Sequence, residues 1–156
     1  MCDEMLRGVG RWLRAAGYDT QIASDGAPDK RLLSRALKEQ RMFLTRDRQL
    51  SQSKKFSEIV VVLSANDLPG CIEEVSQLFE IDWLMAPFSR CLLCNQPLKV
   101  ANDDQRQYVK TMVPNDVWSS GQTILFCQGC QKAYWDGSHV RRMRAKLESY
   151  NRGEWQ

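Results

Sequence analysis

Cys91-Leu92-Leu93-Cys94 and Cys127-Gln128-Gly129-Cys130 are two Cys-x-x-Cys knuckles separated by a longer connection, and together they offer four thiolates to one tetrahedral zinc ion. The pattern predicts a zinc ribbon in the second half of the chain. Gly129 is expected to permit the tight turn of the second knuckle, and Pro97 to turn the chain away after the first. Redox dithiols or two disulfides compete with zinc on composition alone. No helix-opening βαβ context surrounds either pair, however, and the acidic opening Met1-Cys2-Asp3-Glu4 is unlike a secretory signal. A closed four-cysteine site keeps no open coordination position, so this Zn²⁺ is structural and any catalysis lies elsewhere. Cys2 and Cys71 remain as small buried hydrophobes without an assigned role.

Working outward, the 156 residues divide into a larger part, 1–88, and the ribbon with a C-terminal basic helix, 89–156. The smaller part is short for a self-sufficient core, a deficit that metal binding offsets. No apolar run is long enough to span a bilayer, so a soluble, cytoplasmic protein without membrane contact is expected. Residues 1–90 carry 13 Lys and Arg against 13 Asp and Glu, whereas residues 91–156 carry 9 against 6, so the whole net charge of +3 sits in the ribbon half. Its densest part, Arg141, Arg142, Arg144 and Lys146, lies on a predicted helix whose Val140, Met143, Leu147 and Tyr150 recur at helical spacing. The basic residues read either as a solvated face or as a phosphate-contacting surface.

The first 90 residues alternate short apolar runs with amphipathic helices, the pattern of a parallel sheet. Helices are expected over about Glu4–Ala16, stopped by Gly17, over Asp29–Gln40, and from Asp67 and Pro69 through about Phe79. Strands are expected at Tyr18–Ile22, Met42–Thr45 and Ile59–Leu63, the last buried on both faces. The first helix lacks a full preceding strand, since only Met1 and Cys2 stand before Asp3. Asp3 precedes helix one, Asp29 opens the second helix, and Asp47 follows a strand. In an open parallel sheet these positions share one edge, where three carboxylates offer hard oxygen ligands to Mg²⁺ or Mn²⁺ for hydrolysis of a phosphodiester. Aspartate is also a good helix N-cap, and capping alone would explain each residue singly.

Asp3-Glu4-Met5-Leu6, Gly8, Arg11-Trp12-Leu13-Arg14, Gly17-Tyr18-Asp19-Thr20 and Leu44-Thr45-Arg46-Asp47 resemble the PIN-like RNase family named after the C-terminal domain of the Mut-seven exonucleases. Arg90 to Asn95, Pro97-Leu98, Val113-Pro114, Cys127 to Cys130 and Tyr134-Trp135-Asp136-Gly137-Ser138-His139 are similar to the ribbon of the same family. The resemblance implies an α/β fold: a PIN-like open, mostly parallel sheet flanked by helices, followed by a small zinc-ribbon subdomain. It implies a metal-dependent ribonuclease acting on single-stranded RNA, with Asp3 and Asp47 at the most characteristic acidic positions. Asp29 takes the intermediate position, with Asp25 one loop turn earlier. Arg48-Gln49-Leu50 stands where such domains often carry a further acid, so that either metal affinity or activity is weaker or another group such as Glu4 or Asp67 contributes.

Within this reading Arg11, Arg14 and Arg46 hold RNA phosphates beside the carboxylates, and Arg141, Arg142 and His139 hold them on the ribbon side. Tyr134 and Trp135 pack around the zinc knuckle or stack on bases. The competing function is a non-catalytic or weakly catalytic RNA-binding module associated with the ribosome. A toxin-like nuclease held by a protein inhibitor is a third class.

Overall fold

The computed structural model describes residues 1–23 and 26–156. A 3-10 turn over Glu4–Leu6 runs into α1 (Arg7–Ala16), so the expected first helix forms with a tighter opening turn. It ends at Gly17, whose φ of 103° is left-handed; the Gly17 N–H reaches the Arg14 carbonyl and the Tyr18 N–H that of Leu13, a Schellman stop. α2 (Asp29–Lys38) follows, then β1 (Phe43–Thr45), a 3-10 turn over Arg48–Gln52, β2 (Val60–Val62) and α3 (Leu68–Phe79). Asp67 caps α3 by accepting the Gly70 N–H, with Pro69 in the first turn as expected.

β1 and β2 pair in parallel, Leu44 opposite Val61. Met1 and Cys2 form the stub of a central strand, because Cys2 bridges both Ile22 and Leu44 in parallel. The sheet therefore runs Ile22, Cys2, Leu44, Val61 across its width, which resolves the apparent gap before helix one. Side chains alternate cleanly between its faces. Ile22, Cys2, Leu44 and Val61 pack with α1 and α3, while Ala23, Met1, Phe43 and Val60 pack with Leu32, Leu33 and Ala36 of α2.

Two expectations about strands need correction. Tyr18–Ile22 is no strand but a single bridge at Ile22, since Thr20 spends its N–H on Asn95 Oδ1 and its carbonyl on Arg14 Nε. Val60–Val62 is half-buried and not buried on both faces, because it lies at the edge of the sheet.

Beyond the first knuckle come β3 (Lys99–Val100), α4 (Asp103–Lys110), α5 (Asn115–Ser119), β4 (Leu125–Cys127), β5 (Lys132–Tyr134) and α6 (Ser138–Asn151). β3, β4 and β5 form an antiparallel sheet in that order, the ribbon proper. α4 and α5 lie between the knuckles, where the sequence pattern suggested no element; Asn102 and Gln105 start α4 as a reciprocal capping box. A small core of Val109, Val113, Ile124 and Phe126 supports this part. The C-terminal helix belongs elsewhere: Leu147 and Tyr150 are buried in the same cluster as α1 and α3, and Tyr150 meets Trp12 edge-on at 5.3 Å. The molecule is thus mixed α/β, a small parallel sheet followed by a four-cysteine ribbon. No helix among the described residues is long and apolar enough to cross a membrane.

Candidate active edge and cysteine centre

The four knuckle cysteines converge with their sulfurs all within 4.8 Å of one another, the one such gathering of potential metal ligands among the described residues. Cys91 and Cys130 lie 3.8 Å apart and Cys94 and Cys127 3.3 Å apart. Zn–S bonds of about 2.3 Å in a tetrahedron require S···S edges of about 3.8 Å, so the donor set fits zinc with a slight expansion. Burial pushes the Cys91 thiol up, but hydrogen bonds from Tyr134 and from the N–H groups of Cys94 and Leu93 outweigh it and bring the pKa down to about 6. That favours the thiolate a metal needs. Tyr134 therefore does serve the knuckle, its hydroxyl 3.1 Å from Cys91 Sγ.

The left-handed residues of the knuckles are Asn95, at φ 73°, and Gln131, at φ 50°, each one past the second cysteine. Gly129 does not supply that turn. Its N–H donates to Gln96 Oε1 at 2.8 Å, and a Cβ there would displace the end of that glutamine side chain. Cys2 and Cys71 are buried, and burial raises both thiols, Cys2 to about 11, so they behave as inert hydrophobes.

Arg14 corrects the expectation of a phosphate ligand. Only 3 % exposed, it donates to the carbonyls of Thr20, Leu92 and Leu93 at 2.7, 3.0 and 2.8 Å. It bolts α1 to the backbone of the first knuckle and has no guanidinium face left for RNA. Asn95 completes the junction, accepting from the Thr20 N–H and donating to Asp19 at 2.6 Å, while Arg90 donates to the Gly17 and Asn95 carbonyls. Asp19 is held below the usual carboxylate range, chiefly by its hydrogen bond from Arg41. The sequence carried one hint of this role: Arg14 follows buried Leu13 and lies four residues after buried Gly10, on the inward stripe of the helix.

At the carboxyl ends of the central strands, Asp3 and Asp47 meet through Thr45. The Thr45 side chain is wholly buried; its hydroxyl donates to Asp3 Oδ2 at 2.7 Å and accepts the Asp47 N–H at 3.0 Å. Asp47 Oδ1 takes the Gln49 N–H, so Asp47 does cap its 3-10 turn. Each carboxylate keeps an oxygen uncommitted, and neither has an ion-pair partner among the described residues. Asp3 makes no side-chain cap, and Asp29 is not the N-cap of α2, because Pro28 is. Capping thus explains only one of the three.

Asp29 stands exposed at the opening of α2, and Asp3, Asp29 and Asp47 are not drawn together within 4.8 Å. Thr45 links Asp3 to Asp47, whereas Asp29 rides on a different helix and shares no hydrogen bond with either. Asp25 lies outside the described residues. Thr45, read from the sequence as part of a strand and of the Leu44–Asp47 motif but given no role of its own, is the residue that links the pair.

Arg46 lies beside Asp47 and reaches the Asn66 carbonyl at 3.3 Å. Arg11 is exposed on α1. His139 and Arg142 are exposed on the first turns of α6, as is Arg141, which donates to the Asp136 carbonyl at 2.9 Å.

Residues 1–147 match the family model of the Mut7-C RNAse domain. No curated protein and no solved structure is detectably similar to the chain. A match over so much of the sequence, spanning both the carboxylate edge and the knuckles, settles the relationship and points to a nuclease-type function. The chain belongs to the Mut7-C RNAse domain family.

Proposed function

We propose that the protein is a divalent-metal-dependent ribonuclease that hydrolyses single-stranded RNA at the edge carrying Asp3 and Asp47, with a structural zinc in the cysteine quartet. The observation that carries this reading is the Asp3–Thr45–Asp47 link in a chain of an RNase family. Two carboxylates with free oxygens suit Mg²⁺ or Mn²⁺, which take one or two protein carboxylates and complete their shell with water and phosphate oxygens. Asp3 and Asp47 would hold the ion, Asp29 being the third candidate. When bound, it supplies Lewis-acid polarisation of the phosphodiester and a more acidic water.

The chain's own residues set the stage for that chemistry. Thr45 fixes the rotamer of Asp3 and the backbone of Asp47 at once, so the pair is held by a buried hydroxyl with no rotational freedom to spare. Exposed Arg11, and Arg46 once released from Asn66, would orient phosphate bidentately.

The test is cleavage of single-stranded RNA with Mg²⁺ or Mn²⁺ by the zinc-loaded chain and by Asp3→Asn and Asp47→Asn. Both variants should lose most activity while keeping their fold. Full activity in either would sink the assignment. The runner-up is an RNA-binding module with little or no catalysis. The Arg48-Gln49-Leu50 stretch after Asp47 favours it, and RNA binding without metal-dependent cleavage would establish it.

A further inference from the structure

A cavity of about 220 Å³ opens where the ribbon meets the main body. Its walls are largely apolar, lined by Phe88, Leu92, Leu98, Leu125, Met143 and Trp135, the last also packed against the ribbon core. Among its lining residues, three polar groups make no side-chain hydrogen bond or ion pair among the described residues: the Trp135 indole N–H, the His139 ring and the Asp136 carboxylate. Apolar walls with a few convergent, uncommitted polar groups are the signature of a ligand site. The volume is below the roughly 300 Å³ at which sites for drug-sized molecules begin, so the space takes one flat ring system and not a whole nucleotide.

The charge around the mouth indicates what the ring is attached to. Arg144 lies 5.2 Å over the Phe88 ring at the rim, and Arg141 and Arg142 stand exposed on the same helix. A heterocycle inserted here would leave its sugar and phosphate outside, against this cationic rim. That division of labour, an aromatic platform inside and guanidinium groups along the backbone track, is how single-stranded nucleic acid is held without regard to sequence. From this we infer that the cavity is a subsite for one unstacked nucleobase of the RNA strand, with Trp135 as its stacking platform. An aromatic side chain of a protein partner fits the walls equally but leaves the cationic rim without a counter-charge.

The inference rests on RNA as the substrate class, and its test separates the two. Fluorescence anisotropy of the zinc-loaded full chain, without Mg²⁺ or Mn²⁺ so that nothing is cleaved, compares a labelled single-stranded 12-mer RNA with an abasic ribose-phosphate strand of the same length and charge. The abasic strand should bind about 5- to 100-fold more weakly, the span expected for loss of base–aromatic stacking. Trp135→Ala should weaken the intact strand toward the abasic value while leaving abasic binding and its salt dependence unchanged. Thr123→Trp, at an exposed wall position, fills the cavity without touching the knuckle and should do the same if Trp135→Ala disturbs the fold. Equal affinity for the two strands overturns the subsite while RNA binding stands, and turns attention to a protein partner's aromatic residue. Failure of both strands to bind overturns the RNA reading and the subsite with it.

Discussion

Arg14→Met removes the guanidinium that ties α1 to the first knuckle while keeping most of the buried stem. Three carbonyls, of Thr20, Leu92 and Leu93, then lose their donor in a site where Arg14 itself is 3 % exposed. Hydrogen bonds from a charged donor contribute about 1.5–3 kcal/mol each, and such losses within one network do not add fully. Carbonyls left without a donor cost about 1–3 kcal/mol each, so with incomplete additivity a loss of roughly 3–5 kcal/mol is expected, a large part of a domain's stability of about 5–15 kcal/mol. For a chain of this size each kcal/mol moves the melting temperature by about 2–4 °C, so a fall of roughly 6–20 °C is expected. Circular dichroism melts of the zinc-loaded protein measure it, and a chromogenic chelator should take zinc from the variant faster. A melting temperature within about 2 °C of the parent, with an unchanged rate of zinc release, would refute the bolt. The salt dependence of RNA binding supplies the contrast. A phosphate ligand would flatten the log–log slope by about 0.7, whereas a buried structural arginine leaves it unchanged.

Asp29→Asn tests the third carboxylate: if Asp29 joins the metal only when RNA is bound, activity falls with little change in stability, and full activity removes it from the site. Gly17→Ala should destabilise by more than about 2 kcal/mol in urea titrations, since the left-handed φ disfavours a Cβ and that atom would stand 2.5 Å from the Ala86 carbonyl oxygen. Chelation should release about one zinc per chain by elemental analysis and unfold β3 to β5, while hydrogen exchange stays slow in α6, whose Leu147 and Tyr150 are anchored in the main core. Because the folded-state pKa of Asp19 is depressed, its contribution to the knuckle junction is present at neutral pH. It should be lost as pH falls through that lowered value, and Asp19→Asn should flatten this acid limb of the stability profile.

The sequence by itself determined the knuckles, the helices other than α4 and α5, and the family, because each is written in local terms. Cysteine spacing, a glycine stop after Ala16 and an aspartate before Pro69 act within a few residues of themselves. The resemblance to the RNase family, confirmed over residues 1–147, was legible in the same short motifs. What depended on partners distant in sequence was not legible. Tyr18–Ile22 has the composition of a strand, yet Thr20 is claimed by Arg14 and by Asn95, 75 residues away, and its ladder groups go there. Arg14 looks like any helix arginine until the Leu92 and Leu93 carbonyls arrive to bury it. The carboxylate edge divides in the same way. Placing three aspartates at the ends of elements is a one-dimensional inference, whereas linking Asp3 to Asp47 required Cys2 and Leu44 to pair and so bring the Thr45 hydroxyl between them. Asp29 rides on a helix held by the other face of the sheet, through Leu32, Leu33 and Ala36, and only that packing sets where it stands relative to the pair.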